Sequence, residues 1–184
     1  MESSEQSDGI PRGRAGGGAH PRLLDVVEQL IGPDVLFHYS KLHLKAPHVG
    51  SVVEWHQDFS YYPHTNTDLV TALIYLDDAT TENACLRAMP GSHRRGLADH
   101  CVDGHFRGKV TGPDAPDPAQ AVPIEAPAGS VVFIHCLLLH YSSPNRSDRF
   151  RRAFLPAYRA ADAYPDLLRP PREPQRARRD APAR

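Results

Sequence analysis

From residue 35 onward the chain is a succession of short β-rich segments, and this texture restricts the fold more than any other feature. The segments fall at about 35–45, 51–57, 68–77, 85–89, 100–111, 121–126, 130–135, 138–143 and 149–159. Pro, Gly, Asn and Asp separate them, as turns require. Before them lies one readable helix. Pro21 suits a first helical position, Leu23, Leu24, Val27, Leu30 and Ile31 recur on one face, and Gly32-Pro33 stops the run. Many short strands after a single helix argue for an all-β sandwich or barrel and against a βαβ fold. Excluding the first, the segments number eight, the weakest being 100–111. Eight strands are what a double-stranded β-helix, or jelly roll, needs. The expected fold is therefore all-β, a jelly-roll core with at least one N-terminal supporting helix.

At 184 residues the chain has the size of one domain with a real core. The 18 prolines and 13 glycines cluster at the two ends and between residues 103 and 129. Residues 1–19 carry Gly, Ser and charge without periodicity and are expected to be disordered. Residues 166–184 are rich in Arg and Pro and are read as a solvated tail. That leaves 20–165 as the folded domain. A formal net charge of −1 gives no global reason to expect nucleic acid or an anionic membrane as partner. No apolar run approaches the roughly 20 residues of a membrane helix, and the N-terminus lacks the apolar stretch of a secretory signal. The three cysteines lack CxxC spacing, which fits a reduced, cytoplasmic setting. Nothing in the pattern fixes the oligomeric state.

Eleven histidines is the unusual count, and their placement is informative. In WHQD at 55–58, His56 and Asp58 follow a strand, and alternation puts both on one side. An imidazole and a carboxylate so spaced can grip a metal from adjacent corners, although an isolated HxD pair is common. The stretch GSVVFIHCLLLHYSSPNR at 129–146 adds His140, which ends an apolar strand before a polar run. His135, inside the apolar run, reads as a core residue. Two His and one carboxylate form the facial triad of non-haem Fe(II) oxygenases, with three positions left open. The same set can hold a hydrolytic zinc and one water. Arg151, eleven residues after His140, favours the first. A 2-oxoglutarate that chelates iron needs a fixed cation for its far carboxylate, and the planar Arg fork supplies one that keeps its charge. Ser142 shares the face of His140 and can add a hydroxyl there. Arg149 shares the face of Arg151, and Arg152 points away. A zinc hydrolase gives no reason for this Arg and Ser.

These residues resemble the phytanoyl-CoA dioxygenase family. The matching stretches are LKAP at 44–47, WHQDFSYYP at 55–63, the strand from Asp68, ENACLRAMPGSH at 82–93, GSVVFIHCLLLHYSSPNR at 129–146 and RFRRAF at 149–154. Order and spacing agree over about 120 residues. The resemblance implies a jelly roll that binds Fe(II) through His56, Asp58 and His140 and the co-substrate 2-oxoglutarate through Arg151 and Ser142. Lys41 falls where the family often has a further co-substrate contact. PGSH is implied to be a structural turn beside the site, with Gly91 at its tight point. No other side chain is given a catalytic role.

Three departures bear on substrate and stability. The family usually has a longer N-terminal part with further helices and a strand. Ile74 stands where the enzyme that gives the family its name has an aromatic residue near the co-substrate. Ala84 replaces a common Gly. The implied activity is hydroxylation of a small-molecule metabolite with O₂, releasing succinate and CO₂, and Asp58 favours hydroxylation over halogenation. Substrate choice is expected in the loop from about His93 to Gln120 and around Tyr61, Tyr62 and His64. The alternatives are a truncated member that binds metal without turnover and a zinc hydrolase on the same fold.

Overall fold

The computed structural model describes residues 18–49 and 51–166. The two terminal segments expected to be disordered lie outside them, apart from residues 18, 19 and 166. Helix α1 (Pro21–Ile31) starts where a proline needs no N–H partner and stops at Gly32, whose φ of +97° leaves the helical region. Leu23 and Val27 are buried, while Leu30 is 54% exposed and turns to solvent rather than joining the apolar face expected for it.

The strands are β1 (Val35–Lys45), β2 (Val53–His56), β3 (Leu69–Tyr75), β4 (Leu86–Ala88), β5 (Cys101–Val102), β6 (His105–Phe106), β7 (Val122–Ile124), β8 (Val131–His135), β9 (His140–Ser142) and β10 (Arg151–Ala160). They form two four-stranded antiparallel sheets, ordered β1-β10-β3-β8 and β2-β9-β4-β7, with β5 and β6 as a separate hairpin. This is the two-sheet topology of a double-stranded β-helix. Eight core strands are present, but not the eight expected. β1 belongs to the first sheet, and the 100–111 region supplies only the outlying hairpin. Strands of two residues cannot cross a sheet, whereas β1 pairs with β10 along nearly its whole length.

β3 explains why both sides of the first sheet are buried. Leu73 and Tyr75 point between the sheets and pack with Cys85, Leu86, Ile134, Ala153 and Leu155. Val70, Ala72 and Ile74 face the other way, against Leu23 and Val27 of α1 and Tyr158 of β10. Ile74 therefore packs beneath the helix and not beside a co-substrate, and the aromatic ring on the inner side is its neighbour Tyr75. A shift of one residue in a strand exchanges the two faces. Two turns hold the second sheet in shape. Gly91 adopts φ +73° in the PGSH turn, as expected of it. Ala84 sits at φ +70°, a left-handed position that costs a residue with a Cβ about 1–2 kcal/mol. Asn83 ties this turn by accepting from the Thr80 N–H and donating to Asp78 O.

The segment 93–120 is not a structureless insertion. It contains the hairpin and short 3₁₀ turns, and Val110 N–H bonds to Trp55 O next to the WHQD stretch.

Candidate metal centre

β2 and β9 run side by side, with His56 directly opposite His140. His140 opens β9 after a turn at 136–139, rather than ending a strand as expected. Strand pairing stops at His56, but Gln57 keeps an extended backbone (φ −117°, ψ 130°), so Asp58 still emerges on the side of His56.

Each ring is oriented by its own backbone. His56 Nδ1 lies 2.7 Å from Glu54 O and His140 Nδ1 lies 2.9 Å from Leu138 O. A carbonyl only accepts, so both Nδ1 atoms carry a proton, and both Nε2 atoms are the ones turned toward the cluster. The Nε2 atoms lie 3.6 and 3.9 Å from Asp58 Oδ1. The three ligand atoms fall within 4.8 Å of one another, and all three residues are buried. Burial, followed by the neighbouring His56, holds His140 down to about 4, which keeps it neutral. Burial opposes the charge on Asp58, but His56, His140 and Lys41 outweigh it and hold the carboxyl far below its ordinary range. Two imidazoles and one carboxylate, buried and converging, fit a divalent cation.

Arg151 opens β10 and is only 2% exposed. It lines the same cavity as His56, Asp58, His140, Ser142 and Lys41, so all six residues expected at the site converge. Its Nε has no hydrogen-bond partner among the described residues. Arg149 lies outside the strand, exposed, and does not share the inward face expected for it. Arg152 points outward, as expected, and pairs with Asp77. Lys41 reaches the His56, Asp58 and His140 cluster, with Nζ 4.0 Å from Asp58 Oδ1.

Several residues of the site escape notice in the sequence. Lys45, buried, donates to Ser51 O and Ser143 O at 2.6 Å and to Ser142 O at 3.3 Å. Asn145 donates to Lys45 O and Arg149 O. Together they tie the end of β1 to β9 and to the start of β10, which sets Ser142 and Arg151 on one wall. His43, also on the wall, is lowered to about 4 by burial and then by Lys41 and Arg151. Thr71 donates to Asp58 Oδ2 at 3.2 Å. A small polar side chain in the inward row Leu69, Thr71, Leu73, Tyr75 was the available signal for it.

Gln57 gives WHQD its third letter. It is 1% exposed; its Nε2 donates to Gly96 O and Leu137 O, and its Oε1 accepts from Ala98 N–H. It thus fixes the 93–120 segment and the β8–β9 turn to the ligand strand. Gln57→Leu leaves these groups unpaired and is expected to cost about 2–4 kcal/mol in urea unfolding. A loss below about 1 kcal/mol contradicts this role.

Tyr61, 53% exposed, sets its ring edge-on to His56 and Phe106. Tyr62 and His64 do not share that outlook. Tyr62 Oη accepts from Tyr39 Oη, and His64 is 1% exposed. His135 is half-buried with Nδ1 accepting from Leu137 N–H, away from the ligands.

Residues 14–153 match the family described as phytanoyl-CoA dioxygenase (PhyH). A probable alpha-ketoglutarate-dependent hypophosphite dioxygenase of Stutzerimonas stutzeri is 36% identical over 151 residues, 79% of this chain and 52% of that protein. The solved EvdO2 of Micromonospora carbonacea var. aurantiaca, complexed with 2-oxoglutarate, superposes with a TM-score of 0.65 at 28% identity, over 80% of this chain and 63% of the other. EctD of S. alaskensis with bound Fe gives 0.64 at 26% identity, over 79% and 52%. The chain spans about half the length of the curated relatives it matches. No helix among the described residues is long and apolar enough to cross a membrane. By family match, fold and site, the chain belongs to the phytanoyl-CoA dioxygenase family.

Proposed function

We propose that residues 20–165 form an Fe(II)- and 2-oxoglutarate-dependent dioxygenase domain that hydroxylates a small-molecule metabolite. In this reading His56, Asp58 and His140 hold the metal. Arg151 and Ser142 hold the far carboxylate of 2-oxoglutarate, and Lys41 supplies a further cation beside it. The single observation that carries the reading is Arg151, a buried guanidinium in the triad's cavity with an unpartnered Nε. A buried cation calls for a carboxylate, and zinc-bound water would not meet that need.

The bound iron and co-substrate would supply O₂-dependent oxidation of a substrate C–H bond, with release of succinate and CO₂. The protein's part is positional. His56 Nε2, His140 Nε2 and one Asp58 oxygen would hold the ion, a ligand set that would leave it able to take 2-oxoglutarate and O₂. The walls exclude water around the reacting groups. Tyr61, with Phe106 behind it, is the exposed aromatic nearest the ligands and is assigned to substrate choice. The name of the 36%-identical relative favours a small polar substrate over an acyl-CoA. Three buried cysteines, none of them in a disulfide among the described residues, fit a reducing, cytoplasmic setting.

The test is succinate formation. The purified full chain with Fe(II), 2-oxoglutarate and O₂ is screened against small metabolites by NMR or mass spectrometry. Iron-dependent succinate that rises with one substrate class is expected. A folded chain that neither forms succinate nor binds 2-oxoglutarate when loaded with Co²⁺ overturns the reading.

A further inference from the structure

We propose that Thr71 is the positioning residue that keeps Asp58 a one-oxygen ligand, with the buried hydroxyls of Tyr39 and Tyr62 behind it. This rests on the assignment of Asp58 as a metal ligand. The two oxygens of Asp58 face different surroundings. Oδ1 looks into the ligand cluster, 3.6 Å from His56 Nε2 and 3.9 Å from His140 Nε2. Oδ2 turns away and meets Thr71 Oγ1 at 3.2 Å. An ionised carboxylate only accepts, so the Thr71 hydroxyl must donate.

Thr71 is well placed to hold that bond. It is 3% exposed, and β3 is paired on both sides there, with Ala157 and Ile134 opposite Thr71. A β-branched side chain in a strand has little χ1 freedom, so the donor stays where the ladder puts it. Behind it, Tyr39 Oη donates to Tyr62 Oη at 2.8 Å. Burial and then the Asp58 charge push both phenols up, Tyr39 to about 12. Both therefore stay neutral, and the outer side of the carboxylate is met by hydroxyls and not by a second cation.

The consequence is a coordination count. A facial triad works with three open positions. On the proposed function, two would serve the co-substrate and one would serve O₂. A carboxylate that swung to bind through both oxygens would take one of them. With Oδ2 engaged by Thr71, only Oδ1 is left for the ion.

The experiment is a Co²⁺ titration of the metal-free full chain by calorimetry, for the wild type, Thr71→Val and Thr71→Ser. Loss of an outer partner typically weakens metal binding about 10–100-fold. Thr71→Val, isosteric but without a donor, is expected to fall in that range, and Thr71→Ser to stay within about threefold of wild type because it restores the donor. A Thr71→Val protein that binds Co²⁺ as tightly as wild type overturns the proposal. If Thr71→Val does not fold, the Tyr39→Phe/Tyr62→Phe double variant carries the test. It keeps both rings and is expected to weaken Co²⁺ severalfold; unchanged affinity there overturns the proposal. If the wild type itself fails to bind Co²⁺, the ligand assignment falls and this inference with it.

Discussion

Arg151→Leu is expected to weaken 2-oxoglutarate binding by at least about a hundredfold while leaving Co²⁺ affinity close to wild type. The size follows from burial. Removing one partner of a buried ion pair typically costs about 3–5 kcal/mol, two to three orders of magnitude in affinity. Arg151 is 2% exposed, so water cannot replace it opposite the co-substrate's far carboxylate. Metal binding is spared because the ligands come from β2 and β9 and the turn after β2, while Arg151 stands on β10. The apo protein provides a second readout with a definite sign. A buried guanidinium with an unpartnered Nε is a burden to the free fold, so Arg151→Leu should melt no lower than wild type without ligand. Added 2-oxoglutarate, which stabilises the Co²⁺-loaded wild type by mass action, should then leave the variant's melting temperature unmoved. Arg151→Lys keeps the charge but loses the fork and should fall between the two. Calorimetry and thermal melts on the same three proteins decide this. Wild-type affinity in Arg151→Leu would remove Arg151 from the co-substrate site.

The convergence of His56, Asp58, His140 and Arg151 was legible in the sequence because the chemistry assigned to them is narrow. Few residue types hold iron or a buried carboxylate, and the polar break after His140 separates it from His135. The supporting contacts were not legible to the same degree. Gln57 acts through the backbone of Gly96, Ala98 and Leu137, and only the folded chain brings those segments together. Thr71 left a trace, a small polar side chain among the inward positions, but its partner depends on the facing of two sheets. Facing also decides which side chain of β3 reaches the inner side. Ile74 and Tyr75 are adjacent in sequence and lie on opposite sides of one sheet. The count of eight strands came out right with one wrong member, since the weakest segment, 100–111, is broken at Gly104 and Gly108 into a short hairpin. β1, longer than its neighbours, was set apart, yet it carries Lys41, His43 and Lys45 into the cavity wall or beside it.

Asp58→Ala is expected to lower Co²⁺ affinity by more than the hundredfold upper range typical of losing an outer partner, that is, by at least about a hundredfold. It removes the anionic ligand outright and leaves two imidazoles, too few donors from the protein to hold a divalent cation tightly. The fold should persist. Asp58 is 3% exposed, and the alanine vacates a small polar gap bounded by Thr71 Oγ1 and the two Nε2 atoms rather than opening the apolar core. Asp58→Asn separates charge from shape. Its amide can still meet Thr71, so the geometry survives, but the negative charge does not, and affinity should fall with little recovery. The gap in Asp58→Ala has room for a small anion where the carboxylate stood. Formate added to Asp58→Ala should therefore restore part of the Co²⁺ affinity, whereas formate added to Asp58→Asn, whose side chain fills the space, should restore none. Rescue confined to the alanine variant would show that the missing element is a carboxylate at this point in the cavity. Equal Co²⁺ binding by wild type and Asp58→Ala would instead mean that the ion lies elsewhere, and the metal centre built on His56, Asp58 and His140 would have to be abandoned.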